Sequence, residues 1–346
     1  MTTKKFKNTF IEFHILQSFP VSCLNRDDVG SPKTAIVGGV NRARVSSQAW
    51  KRQVRLTMQD FGIKLAIRSK NLESLITQEC LKFGGEEKKI TECSKKIANV
   101  LGKDTLLFFT NSEAFEFAKY IQEKQFNSEG IIDKDISKIA KKVLNLHLDG
   151  LDIALFGRMI AQSPDLDIQG AASFSHAIST HKSSSEIDFF TAVDDILNNE
   201  HMGAAHMGSL EYNSATYYRY ISLDLAQLNK SLNELHLEEA ISAFVRALYI
   251  AVPSARQNSM SAAGSWDYAN VLVRNGQRLQ LSFDKPVRSN GDGYVEPSIQ
   301  SLKNDLKIKE NMSGTLFNKL LQIELPTNNI DDLVKKLQEF VRGYNG

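Results

Sequence analysis

The sequence predicts an α+β fold in which strand-forming segments flank a mostly helical block. Residues 10–19 are rich in aromatic and β-branched residues, which is typical of a strand. An amphipathic helix begins after two capping serines, Ser46 and Ser47. In residues 62–145, apolar residues recur at helical spacing among charged ones. The early strand followed by a helix is also how a ferredoxin-like unit opens.

Residues 40–45 alternate basic and small residues and lead as a strand into the Ser46 cap. Inside the helical block, residues 71–103 and 136–146 predict helices, and residues 105–110 predict a short strand. Between them lies another helix, for which we expect Asn111 and Ser112 as caps and Phe115, Ala118 and Ile121 as the apolar face.

The second half of the chain changes character. Residues 170–207 are rich in Ala, Ser, His and Gly and predict an extended, projecting element. Residues 237–250 and 329–341 have the apolar spacing of amphipathic helices. Asn275-Gly276, inside residues 271–283, predicts a β-hairpin.

Composition places the chain among ordinary soluble proteins. Its 346 residues suffice for two domains or for one domain with insertions. No apolar run is long enough to span a bilayer, and Glu12 and His14 interrupt the apolar segment near the N-terminus, which argues against a signal peptide. The 3 cysteines have no C-x-x-C spacing and suit a reducing compartment. We therefore expect a cytoplasmic protein.

Positive charge is concentrated in one region. Residues 26–55 carry a net charge of +5, whereas the whole chain carries +2. No Asp or Glu lies between Val29 and Gln59. Such a concentration is typical of a surface that binds a polyanion.

Helical geometry divides this region into two faces. At about 100° per residue, Lys51, Arg52 and Arg55 lie near Gln48, while an apolar stripe headed by Trp50 lies elsewhere. The serine hydroxyls and free N–H groups of the first turn suit phosphate oxygens. The alternative interpretation is a solvated basic helix face, which is what charge runs usually are.

Two other patterns allow metal chemistry. The Asp27-Asp28 pair is compatible with a divalent metal for phosphodiester cleavage, but a turn before Gly30 and Pro32 is the commoner meaning of such a pair. Four histidines, at positions 176, 181, 201 and 206, are five residues apart within each pair, unlike the i, i+4 pairs of metalloproteases. No phosphate-binding loop, dinucleotide motif or nucleophile elbow is present. We therefore predict no catalytic residue, metal or cofactor.

Several segments, in order, carry a family resemblance. They are C-L-N-R-D-D, G-G-V-N-R-A-R-V-S-S-Q-A-W-K-R, D-I-A-L-F-G-R-M, H-A-I-S-T-H, D-F-F-T-A-V-D-D, Y-Y-R-Y with L-A-Q-L, and P-S-I-Q. Together they resemble the CasC family, the repeated backbone subunit of the type I-E CRISPR surveillance complex, Cascade. Residues 62–143 show no such match.

The resemblance implies a right-hand architecture. An RNA-recognition-motif-like (ferredoxin-like) palm would comprise residues 1–61, 146–169 and 208–346. Residues 62–145 would be a helical finger insertion, and residues 170–207 a projecting thumb.

The resemblance and the charge pattern together give a set of RNA-binding residues. The cationic region supplies Arg26, Lys33, Arg42, Arg44, Ser46, Gln48, Lys51, Arg52 and Arg55. The family resemblance adds Met159, which follows an apolar run that is otherwise typical of a core strand, with Phe190 and Thr191. Arg256, the one cation of a small polar turn at residues 253–257, is added as a contact to backbone phosphate. The resemblance implies a non-enzymatic subunit with no membrane contact. Its partners would be a CRISPR guide RNA, further copies of itself, other Cascade subunits, and target DNA through guide pairing. The alternatives are a metal-dependent ribonuclease using Asp27 or Asp28, and a single-strand RNA-binding protein that acts alone.

Overall fold

A computed structural model of the chain describes residues 5–102, 107–143, 150–159, 167–192 and 206–344. Within these ranges the strands are β1 (Thr9–Ser22), β2 (Thr34–Val37), β3 (Val40–Val45), β4 (Ile67–Ser69), β5 (Leu107–Phe109), β6 (Ala172–Phe174), β7 (Ala177–Ser179), β8 (Glu186–Ala192), β9 (His206–Asp224), β10 (Tyr268–Asn275) and β11 (Lys319–Leu325). The helices are α1 (Ser47–Thr57), α2 (Leu72–Leu81), α3 (Glu87–Gly102), α4 (Asn111–Glu123), α5 (Asp133–Val143), α6 (Leu151–Phe156), α7 (Leu225–Ser231), α8 (Leu237–Ile250), α9 (Val295–Ser313) and α10 (Ile330–Gly343).

The predicted α+β class is confirmed. An antiparallel sheet has the strand order β11-β10-β1-β9-β7-β3-β2, with β6 and β8 also paired to β9. Because side chains alternate along a strand, Ile11, Phe13 and Ile15 of β1 share one face of the sheet. They join the main core, to which α1, α8 and α10 contribute apolar side chains such as Val54, Phe244 and Leu337. Among the helices described, none combines the length and apolar composition needed to cross a bilayer.

The opposite face of the sheet is also covered. A segment of residues 276–287, here called the covering segment, crosses it together with α9. Buried Glu12 accepts hydrogen bonds from Leu279 N (2.6 Å) and Arg274 Nη1 (2.8 Å). The Tyr218 hydroxyl accepts another from Leu281 N (3.2 Å). These bonds satisfy buried polar groups and fix the covering segment to the sheet.

The β-hairpin predicted at Asn275-Gly276 is wrong. β10 pairs with β1 on one side and with β11 on the other, so no edge of it remains for residues 276–283. The chain leaves the sheet at Gly276, whose φ of +132° is one that glycine adopts easily.

The helical block forms its own core. Helices α2 to α5 bury side chains including Ile76, Ile97 and Phe117 in a cluster separate from the main core. Two details of α4 differ from expectation. Thr110 rather than Asn111 or Ser112 is its N-cap, and it forms a capping box with Glu113. Phe115 is 45% exposed, and Phe117 takes the expected core position.

Residues 170–207 do not behave as one projecting element. β6 and β7 pair with β9 inside the main sheet. β8 pairs with the first part of β9, from His206 to Tyr212, while the later part of β9 pairs with β1. The β8–β9 ladder is therefore continuous with the sheet but extends beyond the β1 pairing. Residues 193–205 lie outside the described residues, and the division into palm, fingers and thumb stays a prediction.

Candidate nucleic-acid interface

The start of α1 is held against a loop that carries cations. Ser46 N donates to Asn25 Oδ1 (2.9 Å), and Lys33 N donates to the carbonyl of Asn25 (2.9 Å). Arg44 N in turn donates to Lys33 O (2.8 Å). This hydrogen-bond chain brings Lys33 and Arg44 to the sheet edge where α1 begins.

The N-terminus of α1 has the predicted cap. Ser46 is the N-cap, and its hydroxyl accepts a hydrogen bond from Ala49 N (3.3 Å). Ser47 N donates to Nδ1 of His176 (3.0 Å). Because Nδ1 accepts here, the imidazole is neutral and carries its proton on Nε2. Burial, followed by the charges of Arg44 and Lys33, lowers the pKa of His176.

His176 is a site residue that sequence reasoning missed. The sequence places it among four histidines in residues 176–206, and 129 residues separate it from Ser47. Its side chain is exposed beside the helix N-terminus, so its Nε2–H is available to an acceptor such as a phosphate oxygen. The spacing of histidines alone gave no signal for this position.

Five cations at this edge have no ion pair among the described residues. They are Arg26, Lys33, Arg44, Lys51 and Arg52. With Ser46, exposed Gln48 and His176 they are here called the cationic surface. The Lys51 ammonium lies 5.9 Å from the centroid of the Phe174 ring, and partial burial lowers the pKa of Lys51. Unpaired cations around a helix N-terminus form a surface suited to phosphate groups.

Arg42 lies outside this surface, which argues against its predicted role as an RNA-binding residue. It is 0% exposed, although it lies in the same basic region of the sequence. Its guanidinium donates to the carbonyls of Ser179 (2.7 Å), Phe283 (3.0 Å) and Asp284 (3.2 Å). Burial lowers its pKa. Arg42 therefore ties β3 to β7 and to the covering segment.

Arg55 also has partners inside the fold, which argues against its predicted role as an RNA-binding residue. Its Nε donates to Oδ2 of Asp152 (2.7 Å), and its Nη2 donates to the carbonyl of Ala66. Asp152 is buried and also accepts from Ala66 N (3.1 Å), and burial raises its pKa although Arg55 acts to lower it. The guanidinium lies 4.9 Å from the Phe108 ring. Arg55 thus joins α1 to α6 and to the helical block, and its charge is compensated.

The Asp27 side chain is hydrogen-bonded to the backbone of its own loop. Its Oδ1 accepts hydrogen bonds from Val29 N (3.0 Å) and Ser31 N (2.9 Å), which is the geometry of an Asx turn. Asp28 is exposed beside it. Within the part of the chain that the structure describes, no group of three or more His, Cys, Asp or Glu side chains is placed to hold a metal ion.

Arg256 lies near the loop that carries Arg26. Burial raises the pKa of the Cys23 thiol, and the charges of Arg256 and Arg26 partly oppose this rise. Arg256 adopts a left-handed backbone conformation with a φ of +54°, and its Nε is buried without a hydrogen-bond partner among the described residues.

The remaining predicted residues lie on other elements. Met159 follows α6, which is a helix and not the strand that its apolar run indicated, and its side chain is 77% exposed. Phe190 and Thr191 lie on β8, opposite Gly208 and Met207. A Cβ on Gly208 would lie 2.4 Å from Cζ of Phe190, so the phenyl ring rests against this glycine. Phe189 points away from that contact and is 79% exposed.

Arg158 beside Met159 links the two parts of the fold. Its Nη1 donates to Oε1 of Glu113 at 2.6 Å, and both side chains are 2% exposed. The same nitrogen donates to the carbonyl of Phe108 (3.2 Å). This buried ion pair positions the chain that leads to Met159 against the helical block.

Comparisons with known proteins agree with this architecture. One solved structure, a chain of a "CRISPR RNA-guided surveillance complex, pre-nicking", has a TM-score of 0.80 and 26% identity, and the match covers 94% of this chain and 99% of that chain. Another, from a "CRISPR RNA-guided surveillance complex", shares the fold with a TM-score of 0.61, 24% identity, and coverage of 95% and 99%. A comparison with curated proteins finds no match.

The family assignment rests on nearly the whole chain. The model of the CT1975-like protein family matches residues 11–338. This match and the structural similarity confirm the resemblance to a CRISPR-associated family that the sequence motifs indicated. The chain belongs to the CT1975-like family of Cas proteins.

Proposed function

We propose that this chain is a non-enzymatic backbone subunit of a Cascade-type complex, and that several copies line up along one guide RNA. The observation that carries the proposal is the cationic surface: five cations without ion pairs among the described residues surround the N-terminus of α1. The family match and the two surveillance-complex structures support a role in such a complex.

Because both faces of the sheet are covered, we place the RNA at an edge of the sheet. An RNA-recognition-motif domain stacks bases on the open face of its sheet. If this sheet is a palm of that type, its second face is closed by the covering segment and α9. The cationic surface lies instead at the edge formed by β2, β3 and α1, where it would hold ribose and phosphate.

Phosphate contacts suit a subunit that serves any guide. They fix position and orientation but carry no sequence information, so the bases remain free. In guide-directed systems base pairing reads the target sequence, while the protein reads backbone and shape. The cationic surface would thus leave guide bases available to pair with target DNA.

The β8–β9 ladder is the element proposed to reach a neighbouring copy. It extends beyond the sheet and exposes Ile187 (57%), Phe189 (79%) and Phe190 (39%). Exposed apolar side chains on a projecting ladder favour contact with another surface. This role would make the ladder the thumb of the proposed architecture.

The nuclease alternative has less support. Asp27 Oδ1 is engaged by two backbone N–H groups, which a turn requires and a metal ligand does not. We therefore propose that neither Asp27 nor Asp28 is catalytic.

RNA binding over a range of salt concentrations tests the proposal. We expect two unrelated single-stranded RNAs of equal length to bind with affinities within about threefold, because phosphate contacts do not read sequence. Arg52→Ala should weaken both and reduce the log–log salt slope by about 0.7, the value for one phosphate contact on a single strand. Lys335→Ala, an exposed lysine on α10, is the matched control and should change neither.

A strong preference for one short sequence, or equal effects of Arg52→Ala and Lys335→Ala, would contradict the proposal. Metal-dependent cleavage that disappears in Asp27→Asn would favour the nuclease alternative.

A further inference from the structure

We propose that a cavity beside the ends of β10 and α9 binds an acidic–apolar segment of a partner protein. The cavity has a volume of about 500 Å³. It lies between the end of β10, the start of the covering segment and the connection from α9 to β11. Arg274, Arg278, Leu279, Leu316 and Asn318 are among its lining residues.

Arg274 supplies a buried cation with unused hydrogen-bonding capacity. It is 4% exposed and borders the cavity. Its Nε donates to the carbonyl of Phe317 (2.9 Å), and its Nη1 donates to Glu12 (2.8 Å) and to the carbonyl of Gln277 (3.3 Å). Its Nη2 makes no hydrogen bond within the described residues. A fixed guanidinium with a free N–H pair is well suited to a carboxylate.

Arg278 adds a second cation at the rim. It lines this cavity and also a neighbouring one of about 370 Å³ that Ser173 borders. Its Nη1 donates to Oγ of Ser173 (2.5 Å), and it has no carboxylate partner among the described residues. Glu12 already compensates Arg274, so Arg278 leaves the cavity with a net positive charge.

An apolar stripe leads away from the cavity along α9. Ile308 and Met312 are four residues apart and share a helix face, and Leu316 follows at the cavity wall. Their exposed fractions are 45%, 76% and 81%. Exposed Lys307 and Lys309 flank the stripe, while Glu310 is paired with Lys319 at 2.9 Å. Adjoining aliphatic side chains and cations mark an interaction surface rather than scattered exposed residues.

The chemistry of this surface selects the occupant. A nucleic acid is held by aromatic stacking and by rows of phosphate contacts. The described lining of the cavity contains no aromatic side chain, and the stripe is aliphatic. Aliphatic contacts beside a buried guanidinium fit instead a peptide in which leucine-like residues neighbour Asp or Glu.

The cavity and the cationic surface lie at opposite ends of the strand order, although Arg278 also lines the neighbouring cavity that Phe174, the ring beside Lys51, borders. The cavity lies beside β10 and β11 at one end of the strand order, and the cationic surface lies beside β3 and β2 at the other. The inference therefore goes beyond the proposed RNA binding and does not depend on it.

The test uses the full chain and two labelled peptides. One alternates leucine and aspartate, and the other alternates leucine and asparagine. We expect the acidic peptide to bind more tightly, and Leu316→Asp or Arg278→Glu to weaken it about tenfold or more, as at a central contact. Leu316 is so exposed that its substitution should not affect folding. Ile36→Asp, with a comparable exposure of 81% on β2, is the matched control and should leave peptide binding unchanged.

Binding of a labelled oligouridylate tests whether the cavity binds nucleic acid instead of a peptide. Leu316→Asp should leave its binding unchanged. Equal binding of the two peptides, or no effect of Leu316→Asp on the acidic one, would overturn the proposal. Loss of RNA binding in Arg278→Glu without any peptide binding would assign the cavity to nucleic acid and would also overturn it.

Discussion

Replacing Arg55 by alanine separates stability from RNA binding on a single helix. Arg55 and Arg52 lie one turn apart on α1, but only Arg55 has an ion pair among the described residues. We expect Arg55→Ala to destabilise the fold and Arg52→Ala to leave its stability unchanged. The sequence alone assigned both residues to the same RNA-binding face.

The magnitude follows from the geometry of the ion pair. Removing one partner of a buried pair costs about 3–5 kcal/mol, because the other charge stays buried. The Asp152 side chain is 0% exposed and that of Arg55 is 16% exposed, so water can partly replace the guanidinium. Asp152 also keeps its hydrogen bond from Ala66 N (3.1 Å). We therefore expect a loss of about 2–3 kcal/mol in the free energy of unfolding.

The loss should depend on pH with a defined sign. Burial already holds the folded pKa of Asp152 above 3.8, and Arg55 acts against that rise. Without Arg55 the folded pKa rises further, so the folded state binds a proton more tightly than the unfolded state. Stability of the variant is then regained as pH falls through the folded pKa of Asp152. The difference in the free energy of unfolding between the variant and wild type should be largest near neutral pH and small near pH 3.8.

Urea unfolding followed by tryptophan fluorescence measures the free energy of unfolding of each variant, since Trp50 is buried on the same helix. The double variant Arg55→Ala/Asp152→Asn should recover part of the loss because no buried charge remains. Wild-type stability in Arg55→Ala, combined with RNA affinity as weak as that of Arg52→Ala, would refute the structural role.

Three further predictions concern the same region. Trp50→Ala should cost about 3–5 kcal/mol of unfolding free energy in urea titrations, because the indole is 1% exposed and its ring lies 3.5 Å from the Arg219 guanidinium. RNA affinity should fall as pH rises through the pKa of Lys51, which burial lowers from 10.5, and Lys51→Arg should abolish this fall in binding titrations. Asp27→Asn keeps the Oδ1 acceptor of the turn, so gel assays with Mg²⁺ should show RNA integrity equal to wild type; a cleavage activity lost in this variant would contradict that.

Local signals explain what the sequence could predict. The Ser46 cap, the α1 stripe of Trp50 and Val54, and the span of α8 depend on residues close together in the chain. Capping and 3.6-residue periodicity act over one or two turns, so a single sequence contains them.

Long-range contacts explain what it could not. Arg42 meets Ser179 across 137 residues, and Arg55 meets Asp152 across 97. Charge counting treats all seven basic residues of positions 26–55 alike, although two of them have partners inside the fold. His176 joins the site only because β6, β7 and β9 bring it beside α1.

The hairpin at Asn275-Gly276 failed for a related reason. The dipeptide is a strong local turn signal, but the pairing of β10 with both β1 and β11 leaves no room for a second hairpin strand. Buried Glu12 then holds the following residues across the sheet face through Leu279 N.

The central claim is that copies of this chain line up along one RNA strand. Native mass spectrometry of the protein with single-stranded RNAs of increasing length tests it most directly. The account predicts that the number of bound copies rises in regular steps with RNA length, and that shortening the β8–β9 ladder removes this regularity while weak binding persists. A single bound copy at every RNA length would contradict the account.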